Sequence, residues 1–171
     1  MARAAKLNLR AFQQELATRL AAKTAAQVEQ SRLGIACADE RWLIRLADAG
    51  EVIAVPQMAT VPLTKPWYLG VANIRGNLYS VTDFSAFARD LPTAMTEHAR
   101  LLIIAERFRV GAALLVERSL GLRSAEGMKP HASSATQPWV KAQYIDADGT
   151  VWKELDVAAL VQNESFLEVS L

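Results

Sequence analysis

Residues 67–84, WYLGVANIRGNLYSVTDF, have the pattern of a strand, a tight turn and a second strand. Side chains at 69, 71, 73 and 75 alternate with those at 70, 72 and 74, as a pleated strand requires. Gly76-Asn77 predicts the turn, because glycine reaches positive φ without a Cβ penalty. Residues 78–82 supply β-branched and aromatic side chains for the returning strand. The stretch therefore predicts a hairpin with Asn73 and Arg75 on one face, beside the turn.

The composition is that of a balanced globular chain. It has 171 residues and a net charge of +1 from 19 basic and 18 acidic side chains, which argues against a general nucleic-acid or membrane-surface binder. Cys37 is the only cysteine, so no disulfide framework is expected. No apolar run approaches the roughly 18 residues of a membrane span. We expect a soluble, cytoplasmic protein.

The N-terminal segment, residues 1–31, is predicted to be an amphipathic helix, with its helical core at 8–29. Leu9, Phe12, Leu16 and Leu20 recur at spacings of three, four and four residues, which places them on one stripe. The first 30 residues carry five basic and two acidic side chains. The helix can either pack its stripe on the domain that follows or bind a partner, and the sequence leaves both open.

From residue 32 onward the chain has the pattern of about nine or ten short strands separated by turns, as in small barrels. Asp83 and Asp156 are expected to cap short helices, and the apolar run at 101–105 reads as a strand buried on both faces. The polar stretch 89–99 is the best internal boundary. We expect a mainly β protein of two small barrels, about 32–88 and 99–155, with a closing helix at 156–162 and a tail at 165–171.

Few residues in the sequence are candidates for catalysis or metal binding. His98 and His131 lie in polar loop sequence, and the chain has no nucleophile elbow and no His/Cys cluster at metal-ligand spacing. Asp146-Ala-Asp148-Gly149 resembles the start of a calcium loop but lacks the later glutamate, since residue 157 is Val157. A hairpin tip explains it better. No metal and no cofactor is therefore expected.

Three functional interpretations remain open from the residues alone. Arg75 can be a solvated hairpin arginine or an interface anchor, since its planar fork makes several fixed hydrogen bonds. An enzyme would use Asp83 or Asp148 with His98 or His131, which requires these groups to converge. A small-barrel nucleic-acid binder would need a basic groove with stacking aromatic rings.

The central stretch resembles the signature of the CheW family, the coupling proteins of bacterial chemosensory arrays. The matching residues are Gly70, Val71, Asn73, Ile74, Arg75, Gly76 and Asp83, with Phe84 in the place of leucine. The resemblance covers about residues 32–164, which we therefore take as a CheW-like domain. Departures occur at Ser80, where the family often has proline, and at Trp42 and Leu43, where tyrosine and glycine are usual.

The resemblance implies two five-stranded SH3-like β-barrels and a non-catalytic adaptor. Its partners would be the regulatory domain of a CheA-type histidine kinase and the tip of a methyl-accepting chemoreceptor, without nucleic acid or direct membrane insertion. Carried over by position, Arg75 and Glu51 would make polar contacts beside Asn73, and Gly70 and Val71 would shape the adjoining surface. The N-terminal helix and the proline-bracketed loop look most like the branch that serves type IV pilus (twitching) systems; a flagellar array is the alternative.

Overall fold

The computed structural model describes residues 31–132 and 137–171. These residues form twelve strands and three short α-helices. The strands are β1 (Ser31–Cys37), β2 (Glu40–Arg45), β3 (Ala49–Ala54), β4 (Met58–Ala59), β5 (Tyr68–Ile74), β6 (Asn77–Asp83), β7 (Arg100–Ile104), β8 (Ala112–Val116), β9 (Arg118–Ser124), β10 (Lys129–Pro130), β11 (Val140–Ile145) and β12 (Val151–Leu155). The helices are α1 (Phe84–Arg89), α2 (Val157–Gln162) and α3 (Glu164–Leu167). The predicted helix at 8–29 lies outside the described residues.

The strands form two mixed sheets, which confirms the mainly β prediction. The first sheet has the order β10-β11-β12-β2-β1-β9 and the second the order β3-β7-β8-β6-β5-β4. Each sheet has six strands, where five were expected, because the two-residue strands β4 and β10 pair at sheet edges. A strand of two residues is too short to show the alternation that identifies a strand from sequence.

The two sheets are interleaved along the chain. The first sheet takes β1 and β2 from one end of the described chain and β9–β12 from the other, so the sheets do not follow the sequential division at 89–99. Parallel pairing joins the distant parts, with β12 beside β2 and β8 beside β6. The β1–β2 hairpin has a hydrogen-bonded neighbour on each flank, with β12 parallel to β2 and β9 antiparallel to β1. Such long-range pairing leaves no trace in local periodicity, which is why the sequence predicted halves.

The apolar core has two layers. The larger lies between the sheets and includes Ile35, Trp42 and Phe84, with the rings of Trp42 and Phe84 edge-to-face at 5.0 Å. The smaller lies on the opposite face of the second sheet. Alternate residues of β7 enter different layers: Leu102 and Ile104 face the first, Leu101 and Ile103 the second. The unbroken apolar run is therefore a strand buried on both faces, as predicted.

Aspartates begin the two predicted helices. The side chain of Asp83 accepts a hydrogen bond from the Ala86 N–H at 3.2 Å, and that of Asp156 accepts from the Ala159 N–H at 3.0 Å. Asp83 also accepts from the backbone N–H and the hydroxyl of Thr93, each at 2.7 Å. This buried carboxylate therefore caps α1 and holds the 90–99 connection against the second sheet.

The C-terminal residues pack rather than forming a free tail. The ring of Phe166 in α3 lies parallel to that of Trp67, with centroids 6.5 Å apart. Beyond α3, the Lys65 N–H donates to the Val169 carbonyl at 2.8 Å, and Thr64 bridges Ser170 in antiparallel fashion. The segment predicted as a tail thus ties down the loop that leads into β5.

Candidate docking surface

The tip of the β5–β6 hairpin is a two-residue turn. Ile74 pairs with Asn77, so the turn residues are Arg75 and Gly76, and the predicted turn at Gly76-Asn77 was wrong by one position. Their φ values of 52° and 87° are both positive, as a type I′ turn requires. Arg75 therefore lies in the turn itself, one residue beyond the strand face on which it was expected.

Asn73 explains the shape of the turn. Its side-chain oxygen accepts a hydrogen bond from the Gly76 N–H at 2.9 Å, which satisfies a backbone donor in the turn. The side chain is exposed. Asn73 therefore supports the turn that carries Arg75, and it remains at the surface beside it.

Arg75 and Glu51 form a bidentate ion pair at this tip. The Arg75 Nη1 donates to the Glu51 Oε2 at 2.9 Å, and the Nη2 donates to the Oε1 at 2.7 Å. The pair is open to solvent, with 75% of the Arg75 side chain and 42% of the Glu51 side chain exposed. The two planar groups match in geometry, as paired guanidinium and carboxylate groups do. The pair thus presents a fixed array of donors and acceptors at the surface.

A β-bulge directs Glu51 toward the hairpin. Ala49 pairs with Ile104 but Val52 pairs with Leu102, so the two residues Gly50 and Glu51 stand opposite Ile103 alone. Bulges re-aim side chains and are common beside functional sites. A Cβ on Gly50 would lie 3.2 Å from the Ile103 carbonyl oxygen, which favours glycine at this close approach.

A groove of about 530 Å³ adjoins the pair. Its lining includes Gly50, Glu51, Leu78, Tyr79, Glu106 and Arg109. Leu78, the second residue after the turn, is 68% exposed. An exposed leucine, an open groove and a rim of charged groups together have the composition of a protein-binding surface.

Gly70 and Val71 lie in the middle of β5, about 17 and about 13 Å along the strand from Arg75 at roughly 3.3 Å per residue. Gly70 is buried, and a Cβ at this residue would lie 2.1 Å from the Ala59 carbonyl oxygen. Its φ of 119° also excludes ordinary side chains. Val71 is half-buried between its partners Ala59 and Ser80. The structure therefore brings Asn73, Arg75 and Glu51 together, while Gly70 and Val71 seat β4 against β5.

The residues considered for catalysis have other surroundings. His98 and His131 are exposed, and both carboxylate oxygens of Asp83 are occupied by α1 and Thr93. Burial raises the pKa of the Cys37 thiol, which keeps it protonated.

Within residues 31–132 and 137–171, no group of three His, Cys, Asp or Glu side chains could hold a metal ion. None of the helices described is long and apolar enough to cross a membrane.

The 146–149 stretch is a hairpin tip, as predicted. The Asp146 carboxylate accepts from the N–H groups of Asp148 and Thr150 at 3.0 and 2.9 Å, and from the Trp152 indole N–H at 2.8 Å. The Trp152 hydrogen bond and then that from Thr150 lower the pKa of Asp146. All of these partners lie within the hairpin, so the carboxylate has a structural role.

Two features of the surface escaped the sequence reasoning. Leu78 was interpreted only as a strand residue, and its 68% exposure is visible only in the structure. Asp48, which is buried two residues before the groove-lining Gly50, gave no signal, because its partner Arg107 is 59 residues away. Both features are visible only in the tertiary structure.

Comparison with known proteins agrees with this architecture. The family model described as "CheW-like domain" matches residues 32–165. The chain is 27% identical over 162 residues to "Protein PilI" of Pseudomonas aeruginosa, covering 90% of this chain and 89% of that protein. The crystal structure of the scaffolding protein TtCheW from Thermoanaerobacter tengcongensis superposes with a TM-score of 0.66 at 16% identity, over 80% of this chain and 95% of that one. The family match spans most of the sequence, and the chain therefore belongs to the CheW-like domain family, as a coupling scaffold of the CheW type.

Proposed function

We propose that this protein is a non-catalytic adaptor that couples chemoreceptors to a CheA-type histidine kinase in an array controlling type IV pilus twitching motility. Membership in the CheW-like family supports the adaptor role. The similarity to PilI, which extends over 90% of this chain, supports the pilus system. The adaptor would contact the regulatory domain of the kinase and the tip of a methyl-accepting chemoreceptor. The adaptor would reach membrane-associated arrays from the cytoplasm through these partners.

The observation that carries the proposal is the exposed Arg75–Glu51 pair on a turn that disfavours arginine. A non-glycine residue in the left-handed region costs roughly 1–2 kcal/mol, whereas an exposed ion pair contributes about 0–1 kcal/mol. Stability alone would therefore favour glycine or asparagine at position 75. A contact made by the guanidinium to a partner accounts for the arginine, since strained residues cluster at functional sites.

The Arg75–Glu51 ion pair is suited to binding a partner rather than to catalysis. Glu51 uses two of the five guanidinium N–H groups of Arg75, so the remaining donors can bind a carbonyl or carboxylate of the partner. Leu78 and the groove beside the pair would supply apolar contact around it. Asn73 would hold the turn in shape, and Gly70 and Val71 would support the sheet beneath the surface.

Coupling then requires only that the kinase and the receptor each bind different conformational states of the adaptor with different affinities. A receptor conformation that changes its contacts with the adaptor changes the adaptor's affinity for the kinase, and linkage makes the effect reciprocal. No bond is made or broken on the adaptor in this scheme.

The proposal is tested by co-purification from the source organism. The tagged full-length chain, its Arg75→Ala variant and an Arg118→Ala control would be expressed at native level, and bound proteins identified by mass spectrometry. Arg118 is a suitable control because its side chain is 52% exposed and lies on β9 of the first sheet. We expect a CheA-type kinase or a chemoreceptor with the wild type and the control, and less of it with Arg75→Ala. Recovery of neither protein would contradict the adaptor role.

A deletion strain distinguishes pilus from flagellar control. Loss of twitching with normal swimming is the expected phenotype. Loss of swimming with normal twitching would assign the adaptor to a flagellar array instead.

A further inference from the structure

We propose that Asp48 is a positioning residue for the docking surface, an inference that rests on the proposed function. The Asp48 side chain is fully buried, at 0% exposure. Its Oδ2 accepts a hydrogen bond from the Arg45 Nε at 2.8 Å, and its Oδ1 accepts from the Arg107 Nη2. We call Asp48 with these two arginines the Asp48 clamp.

The clamp joins two segments that are distant in sequence. Asp48 lies in the turn between β2 and β3, where its N–H donates to the Arg45 carbonyl at 2.8 Å. Its own carbonyl accepts from the Ala105 N–H at 2.9 Å. Arg107 belongs to the 3₁₀ turn Glu106–Phe108, between β7 and β8. Main chain and side chain therefore both fasten the β2–β3 turn to the β7–β8 connection.

These two segments are walls of the groove. The β3 side contributes Gly50 and Glu51, and the β7–β8 connection contributes Glu106 and Arg109. Any change in the distance between the segments changes the width of the groove. The Asp48 clamp is thus the buried link that sets the spacing of the exposed rim.

The clamp also fixes the register at one end of the bulge that carries Glu51. Asp48 precedes Ala49, whose pairing with Ile104 is the last regular contact before the bulge. A slip of one residue in a strand turns each side chain to the opposite face. Without the clamp, the bulge can migrate, and Glu51 can turn away from Arg75. The carboxylate three residues upstream therefore keeps the ion pair assembled.

Stability alone is a weak reason for a buried charge network, because desolvation offsets most of the attraction. The first sheet offers a comparison. Glu154 is equally buried, with 3% of its side chain exposed, and it accepts hydrogen bonds from Arg32 at 3.3 Å and from the Tyr144 hydroxyl at 3.0 Å. Glu154 lies in β12, away from the groove lining. Asp48→Asn and Glu154→Gln thus remove comparable buried charges, one beneath the docking surface and one remote from it.

The test measures the affinity of the full-length chain for the purified regulatory domain of the CheA-type kinase from the same organism, by titration calorimetry. We expect Asp48→Asn to weaken binding about tenfold. Mutations of residues that do not contact the ligand change affinity by a similar factor. Glu154→Gln should bind like wild type. Arg75→Ala should have a smaller effect in the Asp48→Asn background than alone, because the pair is already displaced. Arg107→Gln, which changes a half-exposed side chain, tests the same link if Asp48→Asn does not fold.

The outcomes separate the inference from the function on which it rests. If Arg75→Ala weakens binding while Asp48→Asn or Arg107→Gln binds like wild type, the positioning role is wrong and the proposed function stands. If Glu154→Gln weakens binding as much as Asp48→Asn, general destabilisation explains both and the inference fails. If Arg75→Ala itself binds the kinase domain like wild type, the docking surface does not contact the kinase, and the inference falls with that contact.

Discussion

Arg75 and Glu51 are 24 residues apart in the chain, and their side chains meet through two hydrogen bonds of 2.9 and 2.7 Å. A type I′ turn supplies the arginine and a β-bulge supplies the glutamate. Two irregular backbone features, each with its own energetic cost, converge on one exposed pair. Such convergence supports the proposal that this surface docks a partner.

Arg75→Gly and Arg75→Ala separate turn strain from recognition. Both variants remove the guanidinium, so both should bind partners equally weakly. Glycine adopts the φ of 52° without penalty. The free energy of unfolding should therefore be about 1 kcal/mol greater for Arg75→Gly than for Arg75→Ala, which makes the glycine variant the more stable one. Urea denaturation measures the difference. Equal stabilities would show that position 75 is unstrained.

Asn73→Ala should destabilise the fold by about 1 kcal/mol, because the Gly76 N–H loses the acceptor that it has at 2.9 Å. Asn73→Asp keeps an oxygen in the same place and should cost less. Thermal or urea unfolding of the two variants provides the comparison. An equal loss for both would mean that the side-chain hydrogen bond does not support the turn.

Gly70→Ala should be severely destabilising, by about 3 kcal/mol. The new Cβ would lie 2.1 Å from the Ala59 carbonyl oxygen, at a φ of 119°. Gly76→Ala is the matched control, since its φ is also positive but no atom lies within 4 Å of the added Cβ. The control should lose only about 1 kcal/mol from backbone strain. Similar losses would rule out the close approach of β4.

The surroundings of Tyr144 predict that the free energy of unfolding decreases at alkaline pH. Burial, followed by the hydrogen bond to Glu154 and the charge of Glu154, raises the pKa of the Tyr144 phenol above its usual 10.0. Because the folded-state pKa exceeds the unfolded one, this contribution to stability is complete below pH 10 and is lost as pH rises beyond it. The stability of wild type relative to Tyr144→Phe should therefore fall as the pH rises above 10, measured by urea denaturation. A constant difference would contradict the raised pKa.

Local features of this fold are readable from the sequence. The β5–β6 hairpin, the caps at Asp83 and Asp156, and the doubly buried β7 each depend on residues close together in the chain. Their physical causes are turn chemistry, capping and hydrophobic periodicity, all of which act over a few residues.

Features that depend on distant residues are not readable in this way. The turn residue was misplaced by one position because the pairing of Ile74 with Asn77, not the glycine alone, sets the register. The interleaved sheets and the Asp48 clamp arise from contacts between segments that periodicity cannot connect. The hairpin pattern singled out Arg75 as a candidate interface residue, and the family resemblance added Glu51; their ion pair became visible only in three dimensions.

The most direct test of the central claim is the affinity of the full-length chain for the kinase regulatory domain and for the receptor tip, with Arg75→Ala compared with wild type and with Arg118→Ala. If Arg75 anchors the docking surface, its removal should weaken at least one of the two complexes by about 2 kcal/mol, roughly 30-fold, at unchanged fold. The Arg118→Ala control should bind like wild type. Undiminished affinity of Arg75→Ala for both partners would contradict the account.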